Sequence, residues 1–134
     1  MRLNDLRGRV AIAGVGQAGL GEAQGFTEQE ILSRAALNAV KDAGLSLKDI
    51  DGITTCSSLS TMWVMPVIEY LGIRPTFIDS TMIGGSSYVA HLLPAIHALE
   101  SGQCNAVLVC YGSTQRTAAF NRAELTRVRK VMDP

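Results

Sequence analysis

Apolar side chains go all the way round the segment between residues 89 and 99. Val89, Ala90, Leu92, Leu93, Ala95, Ile96, Ala98 and Leu99 are interrupted only by His91, Pro94 and His97. A helix that is apolar on every side is expected to be buried on every side. The unbroken apolar stretch is too short to span a membrane. A β-type run over 76–79 precedes it and leads into the turn Gly84-Gly85-Ser86-Ser87. Gly102 closes the helix, and a second apolar run covers 106–110. This is a strand–helix–strand unit, whose usual outcome is parallel pairing.

The preceding chain repeats the theme. Residues 9–15 (RVAIAGV) read as a buried first strand. A glycine-rich stretch follows, and Thr27-Glu28-Gln29-Glu30 then has the form of a capping box. Behind it Ile31, Leu32, Ala35, Ala36, Ala39, Val40 and Ala43 fall on one stripe, opposite Arg34, Asn38, Lys41 and Asp42. Gly44 is the expected residue just past that helix. Residues 45–51 form a connector with room for one helical turn, and 52–56 (GITTC) are a β-branched second strand. Loop is expected over 57–61 and a helix over 62–71, its regular part after Pro66. Gly72 ends it.

The order is therefore β-α-β-α-β-α-β, a mostly parallel α/β sheet with helices on both faces. The doubly wound pattern gives the strand order 3-2-1-4. Right-handed crossovers then place the first two helices on one face and the all-round apolar helix alone on the other. One helix cannot bury its own outer side, so a further domain, a duplicate half or a partner subunit is expected to cover it.

Composition narrows the function. The chain has 134 residues, enough for one domain with a core. Twelve basic residues balance twelve acidic ones, so no global charge attracts nucleic acid or an anionic membrane. No secretory apolar region stands near Met1, and Cys56, Cys104 and Cys110 are odd in number and unclustered. Reduced thiols in a cytoplasmic protein are the expectation. No Cys-x-x-Cys or His/Cys spacing suggests a metal site. From Gly112 onward periodicity fades. Arg116, Arg122, Arg127, Arg129 and Lys130 stand against Glu124 and Asp133. The division expected is a domain over 1–112 and a basic loop segment over 113–134. That segment reads as solvated loop with a helical piece, or as a phosphate- or partner-contacting stretch leading to a missing remainder.

Individual motifs are weaker. Gly14, Gly16 and Gly19 spell G-x-G-x-x-G, but Gly21 and Gly25 prolong the loop and the second strand ends without an acid. A connecting loop is preferred over a dinucleotide site. Cys56 could line a pocket or be a small buried hydrophobe. Ser86 and Ser87 suit helix capping. His91 and His97 are six apart and do not share a helix face. Trp63, Met62 and Met65 read as packing.

Three stretches taken together carry a resemblance: VAIAGVGQAGLGE, ILSRAALNAVKDAGLSLKDIDGITTCSS and GGSSYVAHLLPAIHALESGQCNAVLVCYGS. They resemble the N-terminal half of the thiolase superfamily, nearest its lipid-transfer-protein-like, acetyl-CoA acetyltransferase branch. The resemblance covers the chain to about Gly112, short of the last strand of that half. It implies five layers, with the third helix of each half buried between two sheets. It also implies acyl-CoA thioesters as substrates and no other cofactor. The family's nucleophile is a cysteine in a C-x-S-G pattern ahead of the buried helix, where a helix N-terminus favours the thiolate. Aligned on the glycine, this chain has Met82 at the cysteine position and Gly84 at the serine position. A thioether has no proton to lose, so no catalytic residue is assigned, and Met82, Ile83, Gly84, Gly85 and Ser86 are expected to border substrate. The resemblance further implies a homodimer through the strand at 76–80 and a missing second half. The function expected is that of an acetyl-CoA acetyltransferase relative, inactive alone. The alternatives are a subunit of a Cys-less thiolase-like retro-aldolase, paired with an OB-fold partner, and a non-catalytic acyl-CoA or lipid-binding subunit.

Overall fold

A computed structural model describes residues 7–58, 60 and 62–119. Helix α1 spans Glu28–Asp42. The Thr27 hydroxyl accepts from the Glu30 N–H at 3.2 Å, and the Glu30 carboxylate accepts from the Thr27 N–H at 2.8 Å. The capping box is thus formed as expected. Gly44 follows with φ +70°, the left-handed conformation that ends the helix. A 3₁₀ turn at Leu47–Asp49 leads to strand β1, Gly52–Thr54.

Helix α2 covers Val64–Leu71 and stops at Gly72, φ +66°. The helix was expected to become regular only after Pro66, but it begins two residues earlier. Pro66 lies in the first turn, where its missing N–H would have no intrahelical partner anyway. Trp63 is buried as expected, but Met62 and Met65 are exposed and do not pack. Strand β2 is Phe77–Asp79 and β3 is Val107–Val109.

The apolar helix is two pieces, α3 at Ser87–Ala90 and α4 at Leu92–Glu100, meeting at His91. Pro94 explains the break. It has no N–H for the Ala90 carbonyl, and its ring crowds that oxygen. A short helix α5, Gln115–Ala119, supplies the helical piece expected after Gly112. Arg122, Arg127, Arg129 and Lys130 lie outside the described residues.

The three strands form a parallel sheet in the order β2-β1-β3, with Ile53 opposite both Ile78 and Leu108. This is the α/β class expected, with one correction. The run at 9–15, expected as the strand between β1 and β3, forms no strand, and β1 pairs directly with β3. Ile12 is 78% exposed and Val15 71%. The reason lies in where this segment's hydrogen bonds go. The Val15 N–H donates to the Asp42 carboxylate at 2.9 Å, and the Gln17 carbonyl accepts from the Asn38 amide at 3.0 Å. Both partners are on α1. A Cβ on Gly14 would stand 2.3 Å from the Ala39 carbonyl oxygen, and one on Gly16 2.2 Å from that of Ala35. The glycines let the chain lie flush on the alanine stripe of α1, which is their role here in place of cradling a phosphate.

The remaining strands keep their expected relative order, so the crossover argument survives. The step from β1 to β2 runs one way and the step from β2 to β3 runs back, which puts α2 and the α3–α4 pair on opposite faces. The core matches. Leu32, Ala36, Val40, Ile53, Trp63, Val64, Val67, Leu71 and Leu108 form one cluster from α1, α2 and the sheet. No residue of α3 or α4 belongs to it. On those helices Ser87, His91, Ala95 and Ala98 are buried, while Val89 is 72% exposed and Leu93 51%. The outer side of the apolar helix is uncovered within this chain.

Candidate functional site

In open parallel sheets the crevice at the carboxyl ends of the strands is where ligands bind. Here those ends are Thr55 and Cys56 after β1, Ser80 to Ser86 after β2, and Cys110 and Tyr111 after β3. The five residues expected to border substrate all lie in the loop after β2. Met82, Ile83, Gly84, Gly85 and Ser86 are exposed.

The loop is fixed at both ends. The Asp79 carboxylate accepts from the Thr81 N–H at 2.9 Å and from its hydroxyl at 2.8 Å. Burial pushes the Asp79 carboxyl up, but the hydrogen bonds from Thr81 and the nearby His91 hold it below the usual range. The Thr81 carbonyl in turn accepts from His91 Nε2 at 2.8 Å. Gly84 turns the chain with φ +90°. Ser87, at the start of α3, donates to the Gly84 carbonyl at 2.6 Å and accepts from the Ile83 N–H at 2.9 Å. The Met82 sulfur lies 3.6 Å from the same hydroxyl. The N–H groups of Gly84, Gly85 and Ser86 have no acceptor among the described residues.

Ser86 and Ser87 were expected as caps. Ser86 occupies the cap position but makes no side-chain capping bond. Ser87 is completely buried and ties the loop instead. His91 is buried on the same side of the helix, one turn on, and its Nδ1 has no partner among the described residues. The His91–His97 spacing pointed away from this pair. The readable signal was Ser87 and His91 at i and i+4, two polar residues sharing one stripe of an otherwise apolar helix.

Aromatic rings floor the crevice. Tyr88 stands edge-on to His91 at 5.8 Å and tilted against Tyr111 at 4.6 Å. Its hydroxyl donates to the Cys56 carbonyl at 2.8 Å. Burial and that hydrogen bond raise the Tyr88 pKa, so it stays a neutral phenol.

None of the three cysteines replaces a nucleophile at the loop. All are buried free thiols. Burial pushes Cys110 up to about 12, offset in part by Thr55. Burial and the Asp51 carboxylate raise Cys104. Thiols held in the protonated form are poor nucleophiles. A cavity of about 300 Å³ lies at the other edge of the sheet, before β3, lined by Arg9, Val10, Ala11, Leu99, Glu100, Cys104 and Asn105. The Arg9–Glu100 ion pair at 2.9 Å sits within it, so its charges are already paired.

Comparison with known proteins gives the fold a context. No family model matches the chain. It is 31% identical over 113 residues to 17-hydroxy-3-oxo-4-pregnene-20-carboxyl-CoA lyase of Mycobacterium tuberculosis, covering 84% of this chain and 29% of that protein. It is 32% identical over 107 residues to the steroid side-chain-cleaving aldolase of Thermomonospora curvata, covering 79% of this chain and 27% of that protein. The chain thus spans less than a third of the length of these curated relatives. Among solved structures, the Ltp2-ChsH2(DUF35) aldolase superposes with a TM-score of 0.71 at 27% identity over 80% of this chain and 28% of that one. A monomeric SCP2-thiolase-like protein from Mycobacterium smegmatis gives 0.58 at 24% over 72% of this chain and 21% of that one. The homologues are thus a lyase and aldolases, not acetyl-CoA acetyltransferases, and the chain has a thiolase-like, lipid-transfer-protein-like fold.

Proposed function

We propose that this chain supplies the loop-and-helix part of a thiolase-like carbon–carbon lyase. The reaction is retro-aldol cleavage of a β-hydroxyacyl-CoA adduct. A base takes the proton of the β-hydroxyl, the bond between the α and β carbons breaks, and its electrons pass into the thioester as an enolate. A ketone or aldehyde leaves, and the α carbon is then protonated. No acyl group moves to the protein. The observation that carries this reading is Met82, exposed at the loop where the thiolase pattern needs a thiolate. Acyl transfer through an acyl-enzyme is lost with that cysteine, whereas retro-aldol cleavage never required it. The relatives named as lyase and aldolase support the same choice.

In this reading the free N–H groups of Gly84, Gly85 and Ser86 receive the thioester oxygen as it gains charge. Donors already aimed at developing charge are the usual largest source of stabilisation in such steps. Met82 and Ile83 border the acyl chain. The acid and base come from residues beyond those described. A partner or a further part of the protein covers Val89, Leu92 and Leu93. A second subunit pairs along β2, and the protein works in the cytoplasm. No helix of the described residues is long and apolar enough to cross a membrane.

Product analysis tests the reading. The intact protein, with any partner that copurifies, is given a β-hydroxyacyl-CoA without free CoA. Release of a carbonyl compound and a shortened acyl-CoA is expected. Cleavage that appears only when free CoA is added would mean thiolysis and overturn it.

A further inference from the structure

Ser87 and His91 lie one helical turn apart and are almost completely sequestered, with 0% and 1% of their surface exposed. They sit on the inner side of a helix whose outer side is apolar and open. Polar side chains at such positions are costly unless their hydrogen bonds secure something. Both are committed to the backbone of one short loop. Ser87 Oγ holds the Gly84 carbonyl at 2.6 Å and the Ile83 N–H at 2.9 Å. His91 Nε2 is 2.8 Å from the Thr81 carbonyl, and since a carbonyl only accepts, Nε2 carries the proton. Three of the four loop residues from 81 to 84 are thus tied to one face of α3. The break at Pro94 leaves His91 at the helix junction, where its ring can reach back to Thr81.

We propose that Ser87 and His91 are a positioning pair: together they fix the direction of the Gly84–Ser86 amides and of Met82, and so set the catalytic competence of the loop without touching substrate. This rests on the lyase reading for its kinetic consequence, but not for its structural one. Of the two, His91 fixes the strand side of the loop and Ser87 the helix side. The remaining nitrogen, Nδ1, faces the protein interior without a partner. The pair therefore needs a donor only at Nε2, which a glutamine amide reproduces at nearly the same distance along the side chain and a phenylalanine ring does not.

The experiment uses the intact protein and the variants His91→Phe, His91→Gln and Ser87→Ala. Two quantities are read: amide hydrogen exchange at Thr81 to Ser86, and kcat and KM for cleavage of a β-hydroxyacyl-CoA. With His91→Phe and Ser87→Ala, exchange at Ile83 should accelerate while exchange in β1 and β3 stays protected. On the kinetic side kcat should fall on the order of ten- to a hundredfold with KM nearly unchanged, as expected for a misaimed catalytic group. His91→Gln should recover most of both. A merely structural pair would lower thermal stability but leave kcat of the folded protein alone, and that result overturns the proposal. If His91→Phe fails to fold, Ser87→Ala carries the test, because it removes only one oxygen. Should the protein cleave no such substrate, the lyase reading fails. The exchange result then still decides whether the pair holds the loop, and unaltered exchange at Ile83 in Ser87→Ala refutes it.

Discussion

The backbone N–H of Asn105 donates to both carboxylate oxygens of Asp51, at 2.8 and 3.0 Å. The side chain of Asn105 adds a third bond at 2.8 Å and the Ala106 N–H a fourth at 2.9 Å. The Asp51 carbonyl meanwhile accepts from the N–H groups of Thr76 and Phe77. One residue thereby ties the start of β1 to the starts of β2 and β3. This pins the register of a sheet whose strands are only three residues long.

Replacing Asp51 with alanine removes every one of the carboxylate bonds and should cost about 1–3 kcal/mol, the range for hydrogen bonds to a charged group. The pH dependence has a definite sign. Burial pushes the Asp51 carboxyl up, but the N–H donors of Ala106 and Asn105 win and hold it below its ordinary value. A carboxyl depressed in the folded state contributes stability that is full above its unfolded value of 3.8 and lost as pH falls through the folded one. Urea denaturation at neutral pH and near pH 3 should show a smaller acid loss for Asp51→Ala than for the parent. An equal loss in both would show that Asp51 does not link the strands.

Gly16→Ala should destabilise the fold or dislodge the segment from 14 to 17, because a Cβ there meets the Ala35 carbonyl at 2.2 Å. Overpacking of this kind costs roughly 1–3 kcal/mol. Thermal melts give the test, with Gly21→Ala beside it, where nothing lies within 4 Å but φ is +77°. A melting temperature unmoved by Gly16→Ala would mean the segment does not lie on α1.

Strand β2 is a sheet edge among the described residues, and its register makes a clean test of pairing. The Phe77 N–H bonds to Asp51 and the Asp79 carbonyl to Thr55, so both face β1. By alternation the N–H and C=O of Ile78 point away, and its side chain is 45% exposed. Ile78→Pro then removes an outward donor and leaves the internal ladder whole. Reduced self-association by light scattering is expected, with circular dichroism unchanged. A dimer mass that does not respond would exclude this edge as the interface.

The uncovered helix face should be adhesive. Fully burying a Val or Leu side chain is worth about 1.5–3 kcal/mol, so Val89, Leu92 and Leu93 in water forgo several. The chain by itself should bind a hydrophobic dye or associate. The double change Val89→Lys and Leu93→Gln should suppress both without loss of helix. Dye binding that survives it would place the exposed apolar surface elsewhere.

Much of this was legible in the residues. The capping box at Thr27, the left-handed glycines at 44 and 72, and the all-round apolar helix each state their structure locally. The parallel sheet followed from β-α-β spacing. Two features did not follow. The run VAIAGV has strand character, but which partner takes its hydrogen bonds depends on Asp42 and Asn38 of α1, residues far along the chain. The loop-tying role of Ser87 and His91 depends on the Pro94 break and on the turn at Gly84, neither of which periodicity reports. The candidate site residues fell together because one short loop holds them all. What fixes that loop had to be read from the fold.

The most direct measurement is the mass of the intact protein sampled during turnover of a β-hydroxyacyl-CoA. A lyase built around Met82 should keep its parent mass at every time point while carbonyl product accumulates, because no step places an acyl group on the protein. A mass gain equal to the acyl group, mapped to Cys56, Cys104 or Cys110, would show a covalent acyl-enzyme and contradict the retro-aldol reading.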